Sequence, residues 1–219
     1  MIIFNPHKTI LAIEHYLPQN PTIVEAGAFD GNDTKKMSLR WPEGIIHAFE
    51  PVPEIYARLI ANTSMHANIR YHQLALSDTN GTQLFYISER PTKPGIASQA
   101  GSLHKPKDRL AASPLIFPRT TMVETITLQN WATNNNIHKI DLLWLDTQGH
   151  ELAILQASEP FLKNVHAILA EVSFIESYHN QPHYQNVVDW LTKQGFEYVG
   201  RDFENTTTSF FGNALFVRP

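Results

Sequence analysis

The residues with chemistry to offer begin at a glycine turn. Residues 22–31 read Thr-Ile-Val-Glu-Ala-Gly-Ala-Phe-Asp-Gly, so Glu25 stands two places before Gly27 and Gly31 four places after it. Gly27 permits a tight turn and close backbone approach to a ligand, and Gly31 lets the loop pass beside one. Asn32, Asp33 or Thr34 can cap the helix expected next. Backbone N–H groups in such a turn and at the helix start suit an anionic group. Glu50 ends the next apolar run, 19 residues after Gly31, where a carboxylate can accept hydrogen bonds from both hydroxyls of a ribose. A third run ends in Leu74, Ala75, Leu76, Ser77 and Asp78, small and apolar groups suited to the face and edge of a purine. The plain alternatives are a chance glycine turn and solvated acids at strand ends.

The charge beside the turn chooses between nucleotide cofactors. A nicotinamide-binding fingerprint carries three glycines, G-x-G-x-x-G, and Glu25 occupies the first of those positions here. A carboxylate there repels a pyrophosphate and attracts the cationic amino group of S-adenosyl-L-methionine. The candidate cofactor contacts are therefore Glu25, Ala26, Gly27, Ala28, Phe29, Gly31, Thr34, Glu50, Pro51, Ala75, Leu76 and Ser77.

Methyl transfer from a sulfonium carbon needs an aligned acceptor and, for a hydroxyl, a group to take its proton. Asp146 ends the run Ile140–Asp146. It can orient the acceptor, touch the cofactor amino group or act as base, and its plain alternative is a helix cap. His150 follows in the same turn and in neutral form accepts a proton near pH 7. Glu171 lies at the end of the next run. These three are the candidate catalytic residues, with Asp146 also a candidate cofactor contact. Ser102, His104 and Gln148 are the candidate acceptor contacts. Among 11 histidines one alone means little. No tight ligand spacing points to a metal, and none is expected.

These residues need strand ends to hold them. Strands are expected at Thr22–Ala26, Ile45–Glu50, Ile69–Leu76, Ile140–Asp146, Val165–Val172, Glu197–Arg201 and Ala214–Arg218. Helices are expected near Asp33–Trp41, Glu54–Asn62, Leu128–Asn135, Glu151–Ala157 and Tyr184–Gln194. Alternation of this kind predicts an α/β, Rossmann-like fold: a central, mostly parallel seven-stranded sheet with helices on both faces. Ligands of such sheets sit beyond the C-terminal strand ends. The proline-rich stretch Ser88–Thr121 breaks the alternation and reads as an irregular insertion, a substrate loop or lid, within one domain spanning 1–219.

Composition bounds the rest. The 219 residues are 42% hydrophobic and 17% charged, with net charge −4 and no cysteine. A weakly acidic chain is a poor non-specific binder of nucleic acid. The absence of cysteine excludes disulfides and fits a reducing compartment. The N-terminus lacks signal-peptide features and no apolar run is long enough to span a membrane, so a cytoplasmic location is expected. Nothing specifies the oligomeric state.

In order along the chain, Val24–Gly31, His47–Pro53, Ala75–Asp78, Gly101–Leu103, Thr127–Trp131, Ile140–Glu151 and Ala170–Val172 resemble the FkbM-type methyltransferases. The resemblance covers roughly Thr22 to Phe196. It implies a class I methyltransferase fold, S-adenosyl-L-methionine as cofactor, and a small-molecule acceptor, many members acting on hydroxyls of sugars and natural products. Two departures stand out. Where the family usually reads Lys-x-Asp-x-Glu-Gly, Trp144 replaces the Lys and Gln148 the Glu, which puts the acceptor in question if those positions touch it. A nicotinamide-dependent oxidoreductase and a non-catalytic binding module remain the alternatives.

Overall fold

The computed structural model describes residues 1–107, 114–207 and 209–219. Strands β2 (Thr22–Ala26), β3 (Ile45–Phe49) and β4 (Ile69–His72) run parallel on one side of the main sheet. On the other side β9 (Ile140–Leu145) pairs parallel with both β2 and β10 (Val165–Ser173). All six residues of β9 are buried, as a central parallel strand covered on both faces requires. β12 (Phe211–Val217) enters antiparallel between β10 and β11 (Glu197–Arg201), and β1 (Ile2–Ile3) adds an edge. The order is β1-β11-β12-β10-β9-β2-β3-β4. The direction of winding reverses between β2 and β9, so a crevice opens beyond their C-terminal ends.

Alternate residues of each strand feed two core layers. Val24, Leu143 and Leu145 pack toward α4 (Leu128–Asn134), α5 (Glu151–Ala157) and α6 (Tyr184–Lys193), around Trp131, Ile154 and Leu191. Ile23, Leu142 and Trp144 face the opposite layer, built on α1 (Thr9–Ile13), α2 (Asn32–Arg40) and α3 (Pro53–Thr63), with Met37 and Leu59 at its centre. Proline at the start of α3 supplies a preset φ without costing a hydrogen bond. The Thr127 side chain accepts from Asn130 N–H at the start of α4.

Three expectations are corrected. The main sheet has eight strands, not seven, because Ile2–Ile3 is too short to show any periodicity. The run Ile69–Leu76 is not one strand. It leaves the main sheet after His72, and β5 (Ala75–Leu76) pairs with β8 (Ile116–Ile126) in a second sheet. That sheet, ordered β5-β8-β6-β7 with β6 Gly81–Arg90 and β7 Lys93–Ala97, contains much of the stretch read as an irregular insertion. Its prolines sit where a ladder tolerates them: Pro94 on the edge strand β7, Pro118 at a bulge between the pairs Ile87–Arg119 and Glu89–Ile116. The part of that stretch from 108 to 113 lies outside the described residues.

Candidate functional site

The turn after β2 is held from both sides. Gly27 N–H and Ala28 N–H both donate to the Phe49 carbonyl, at 3.1 and 2.9 Å, and Asp146 N–H donates to Ala26 O at 3.0 Å. Those two turn N–H groups are therefore spent on the neighbouring strand end rather than offered to an anion. Gly27 has φ +87°, and a Cβ there would stand 1.9 Å from the Asp146 carbonyl oxygen. Gly31, also left-handed, precedes α2 without a side-chain cap. A Cβ on it would meet Thr63 and Leu59 of α3, so it serves helix packing and does not line the crevice. Phe29 and Gln148 hold left-handed φ of 49° and 54°, strain of the kind that gathers at binding sites.

Beyond β2, β3 and β9 lies a cavity of about 180 Å³. Glu25, Asp30, Asp33, Glu50 and Asp146 line it, and no lysine or arginine among the described residues does. Phe49, Ile55, Leu74, Leu76, Phe85 and Leu103 form apolar wall, and Trp144 closes one side. Glu25 is 3% exposed; Thr34 Oγ1 donates to its Oε2 at 2.5 Å, yet burial pushes the carboxyl up to about 8. Burial likewise pushes Glu50, 4% exposed, up to about 8, although Val52 N–H donates to it at 2.9 Å. Desolvation penalises a lone charge in such places, and an entering cation or hydroxyl donor favours the carboxylate again. A cationic ligand carrying a diol and an aromatic base fits this donor set; a pyrophosphate does not.

At the rim two networks meet the cavity. Gln148 Nε2 donates to Asp146 Oδ1 at 2.7 Å and to Glu171 Oε2 at 2.9 Å, while Tyr178 OH donates to Gln148 Oε1 at 3.0 Å. Burial raises Asp146 to about 6, and raises Glu171 well above the carboxylate range, with Asp146, Glu151 and Asp202 adding to it. In the second network His150 Nδ1 stands 3.0 Å from His104 Nε2, and His150 Nε2 3.0 Å from Ser77 Oγ. Burial first, then His104, lowers His150 to about 4. Glu151, not Asp146, braces this turn: its carboxylate accepts from Thr147 N–H, Thr147 Oγ1 and Gly149 N–H.

Of the residues chosen from sequence, Glu25, Ala26, Gly27, Ala28, Phe29, Glu50, Pro51, Ala75, Leu76, Asp146 and His150 line the cavity together. Thr34, Ser77, Ser102, His104, Gln148 and Glu171 stand behind it, some of them through one another. Ser102 Oγ, for instance, donates to Gln148 O at 2.8 Å. The sequence reading missed Trp144 as cavity wall and Tyr178 as the anchor of Gln148. The Trp in place of the usual Lys was the available signal for the first; nothing local marked the second.

Fold, winding reversal and acid-lined crevice define a class I S-adenosyl-L-methionine-dependent methyltransferase. Solved structures share the fold at low identity. An rRNA methylase from Streptococcus thermophilus superposes with TM-score 0.56 at 11% identity over 100% of this chain and 98% of its own. Magnesium protoporphyrin IX methyltransferase from Synechocystis PCC 6803, with bound SAM, gives 0.53 at 10% over 96% and 76%. The Methyltransferase FkbM domain profile matches residues 25–198, and the chain belongs to that family. It is 29% identical to 2-O-methyltransferase NoeI of Sinorhizobium fredii over 183 residues, 83% of this chain and 74% of the relative. It is 27% identical to methyltransferase sdnD of Sordaria araneosa, over 64% of this chain and 61% of that protein. The oxidoreductase alternative falls with the family and with Glu25. No described helix is long and apolar enough to cross a membrane.

Proposed function

We propose that this methyltransferase acts on a hydroxyl group of a small molecule, a sugar or hydroxylated natural product, with Asp146 as the base. One observation carries the reading. Asp146 lines the same cavity as Glu25 and Glu50, and burial raises its carboxyl to about 6. A base is most effective when its pKa lies near the working pH. Gln148 holds one of its oxygens, which leaves the other for the acceptor. S-adenosyl-L-methionine supplies the methyl group when bound. Glu50 is suited to its ribose hydroxyls, Glu25 to its amino group, and Ala75 and Leu76 to its base. Asp146 would take the proton of the acceptor hydroxyl as the methyl group is transferred.

The relative named as a 2-O-methyltransferase supports a hydroxyl acceptor. The chain's net charge of −4 and the acid lining of the cavity argue against a polynucleotide. The chain reads as one methyltransferase domain working in the cytoplasm, in keeping with its lack of cysteine. The test is incubation of the purified chain with S-adenosyl-L-methionine and a panel of sugars and hydroxylated natural products, read by mass spectrometry. A gain of one methyl group on oxygen is expected. Transfer only to nitrogen or carbon acceptors overturns the reading.

A further inference from the structure

Beside the acid-lined cavity lies a second one of about 190 Å³ with the opposite character. Arg58, Arg90 and Lys93 line it, and no aspartate or glutamate among the described residues does. The two cavities share Phe29, Ser98 and Gln99 among their lining residues, so they are immediate neighbours.

None of the three cations forms an ion pair with a carboxylate among the described residues, although the Arg58 charge favours the ionised forms of Glu50 and Glu54. The Arg58 guanidinium lies 5.2 Å from the Phe29 ring centroid and donates to the Ala97 carbonyl at 3.0 Å. It is thereby held against the turn that follows β2, where a mobile surface arginine would not be. Arg90 ends β6, Lys93 begins β7, and the two are register partners across the hairpin. Like charges directly opposite on an antiparallel pair destabilise it, and no carboxylate among the described residues forms an ion pair with either. Nearby Arg119 shows the contrast, since Glu54 and Glu89 take up its guanidinium. Three cations lining one cavity, with no acid in its wall, are the chemistry that holds a multiply charged oxyanion, arginine offering a planar fork and lysine a point charge.

We propose that Arg58, Arg90 and Lys93 form an anion subsite that holds a phosphate group of the methyl acceptor next to the cofactor cavity. This rests on the chain being a small-molecule O-methyltransferase and narrows the acceptor to a phosphorylated one. The other source of an anion in reach is the carboxylate of the cofactor itself, and the test separates the two.

Inorganic pyrophosphate is titrated calorimetrically into the full chain, with and without saturating S-adenosyl-L-methionine. The measurement is repeated on Arg90→Ala/Lys93→Ala, whose two side chains are exposed. Pyrophosphate binding to the parent in both conditions is expected, with affinity at least tenfold weaker in the variant and cofactor affinity unchanged. No binding by the parent, or equal binding by the variant, overturns the subsite. Displacement of pyrophosphate by the cofactor, or weaker cofactor binding in the variant, assigns the cations to the cofactor and overturns it equally. None of these readouts uses turnover, so failure to methylate any hydroxyl leaves pyrophosphate binding intact and is recognised as failure of the other reading.

Discussion

His104 Nε2 lies 3.0 Å from His150 Nδ1, and the other nitrogen of His150 lies 3.0 Å from Ser77 Oγ. Both ring nitrogens are engaged within the protein, so His150 lines the cavity without a free lone pair. We propose that it positions the turn that carries Asp146 and leaves the proton to Asp146. His150→Gln should therefore keep kcat within about tenfold of the parent. Stability should fall by ~1–3 kcal/mol, because Ser77 and His104 lose a buried partner. Urea denaturation and steady-state kinetics on the same preparation check this. A loss of about 10²-fold or more in kcat at unchanged cofactor affinity would return His150 to the chemistry.

Asp146 carries the contrary expectation. The ionised carboxylate is the active form of a base, so with a pKa of about 6 the rate should fall as pH drops through 6 and level off above about 7. Asp146→Asn keeps an oxygen for Gln148 while removing the base. It should lower kcat by about 10²–10⁴ and abolish the acid limb. A pH–rate profile with the same limb in the variant assigns that limb elsewhere.

Glu50→Gln tests the cofactor side alone. The carboxylate is buried and braced by Val52 N–H, so the amide should fit while offering weaker acceptance to a diol. A loss of ~1.5–3 kcal/mol, roughly tenfold or more in S-adenosyl-L-methionine affinity, is expected. The melting temperature of the cofactor-free variant should not fall. Calorimetric titration giving the parental affinity removes Glu50 from the ribose.

A histidine pair behind the site should make stability pH-dependent. His47 Nδ1 stands 3.1 Å from His72 Nε2, and His72 stacks on Phe49 at 4.5 Å. Burial lowers both to about 4 from 6.5. The unfolded chain thus binds protons that the folded chain refuses. Stability from these groups is present above about pH 6.5 and lost as pH falls toward 4. Glu25 and Glu50, raised to about 8, act in the opposite sense: their contribution fades as pH rises from 4.5 toward 8. The histidine share is isolated by difference. In His72→Phe, which keeps a ring against Phe49, the fall in urea midpoint between pH 7 and pH 5 should be smaller than in the parent. An identical fall rules the pair out.

The parallel half of the fold was readable because buried strands such as β9 are apolar runs, broken there only by Asp141, and the helices between them are amphipathic. The second sheet was not. Its strands are half-exposed and polar, with residues such as Thr82, Gln83 and Thr121 where alternation should show, and Pro94 and Pro118 mimic loop punctuation. At the site, residues chosen by charge at strand ends (Glu25, Glu50, Asp146) line the cavity. Glu171, also chosen as a strand-end acid, falls behind it together with Thr34 and Ser77, because spacing alone does not report which way a side chain faces. Tyr178 reaches Gln148 from 30 positions away, a contact only the tertiary fold creates.

Gly27 marks where a sequence motif and a packing constraint coincide. From sequence the glycine permits a tight turn and close backbone approach to a ligand, and a side chain there would either fill ligand space or force an unfavourable backbone angle. In the structure the obstacle is the backbone, since a Cβ would stand 1.9 Å from the Asp146 carbonyl oxygen at a φ of +87°. Even alanine must push β2 and β9 apart at their C-terminal ends, or flip the turn and lose the two hydrogen bonds to Phe49 O. The left-handed conformation alone costs an alanine ~1–2 kcal/mol, and the displaced strand ends add to it. Gly27→Ala should therefore lower the melting temperature of the cofactor-free chain by at least about 4 °C, at roughly 2–4 °C per kcal/mol for a chain of this size. Cofactor binding should weaken in the same variant, because Asp146 and the Gly27 turn move together. This differs from Glu50→Gln, where binding falls and stability does not. Differential scanning calorimetry on both variants without cofactor makes the comparison. If Gly27→Ala melts with the parent and only its cofactor affinity falls, the glycine is there for the ligand and not for the approach of β2 to β9.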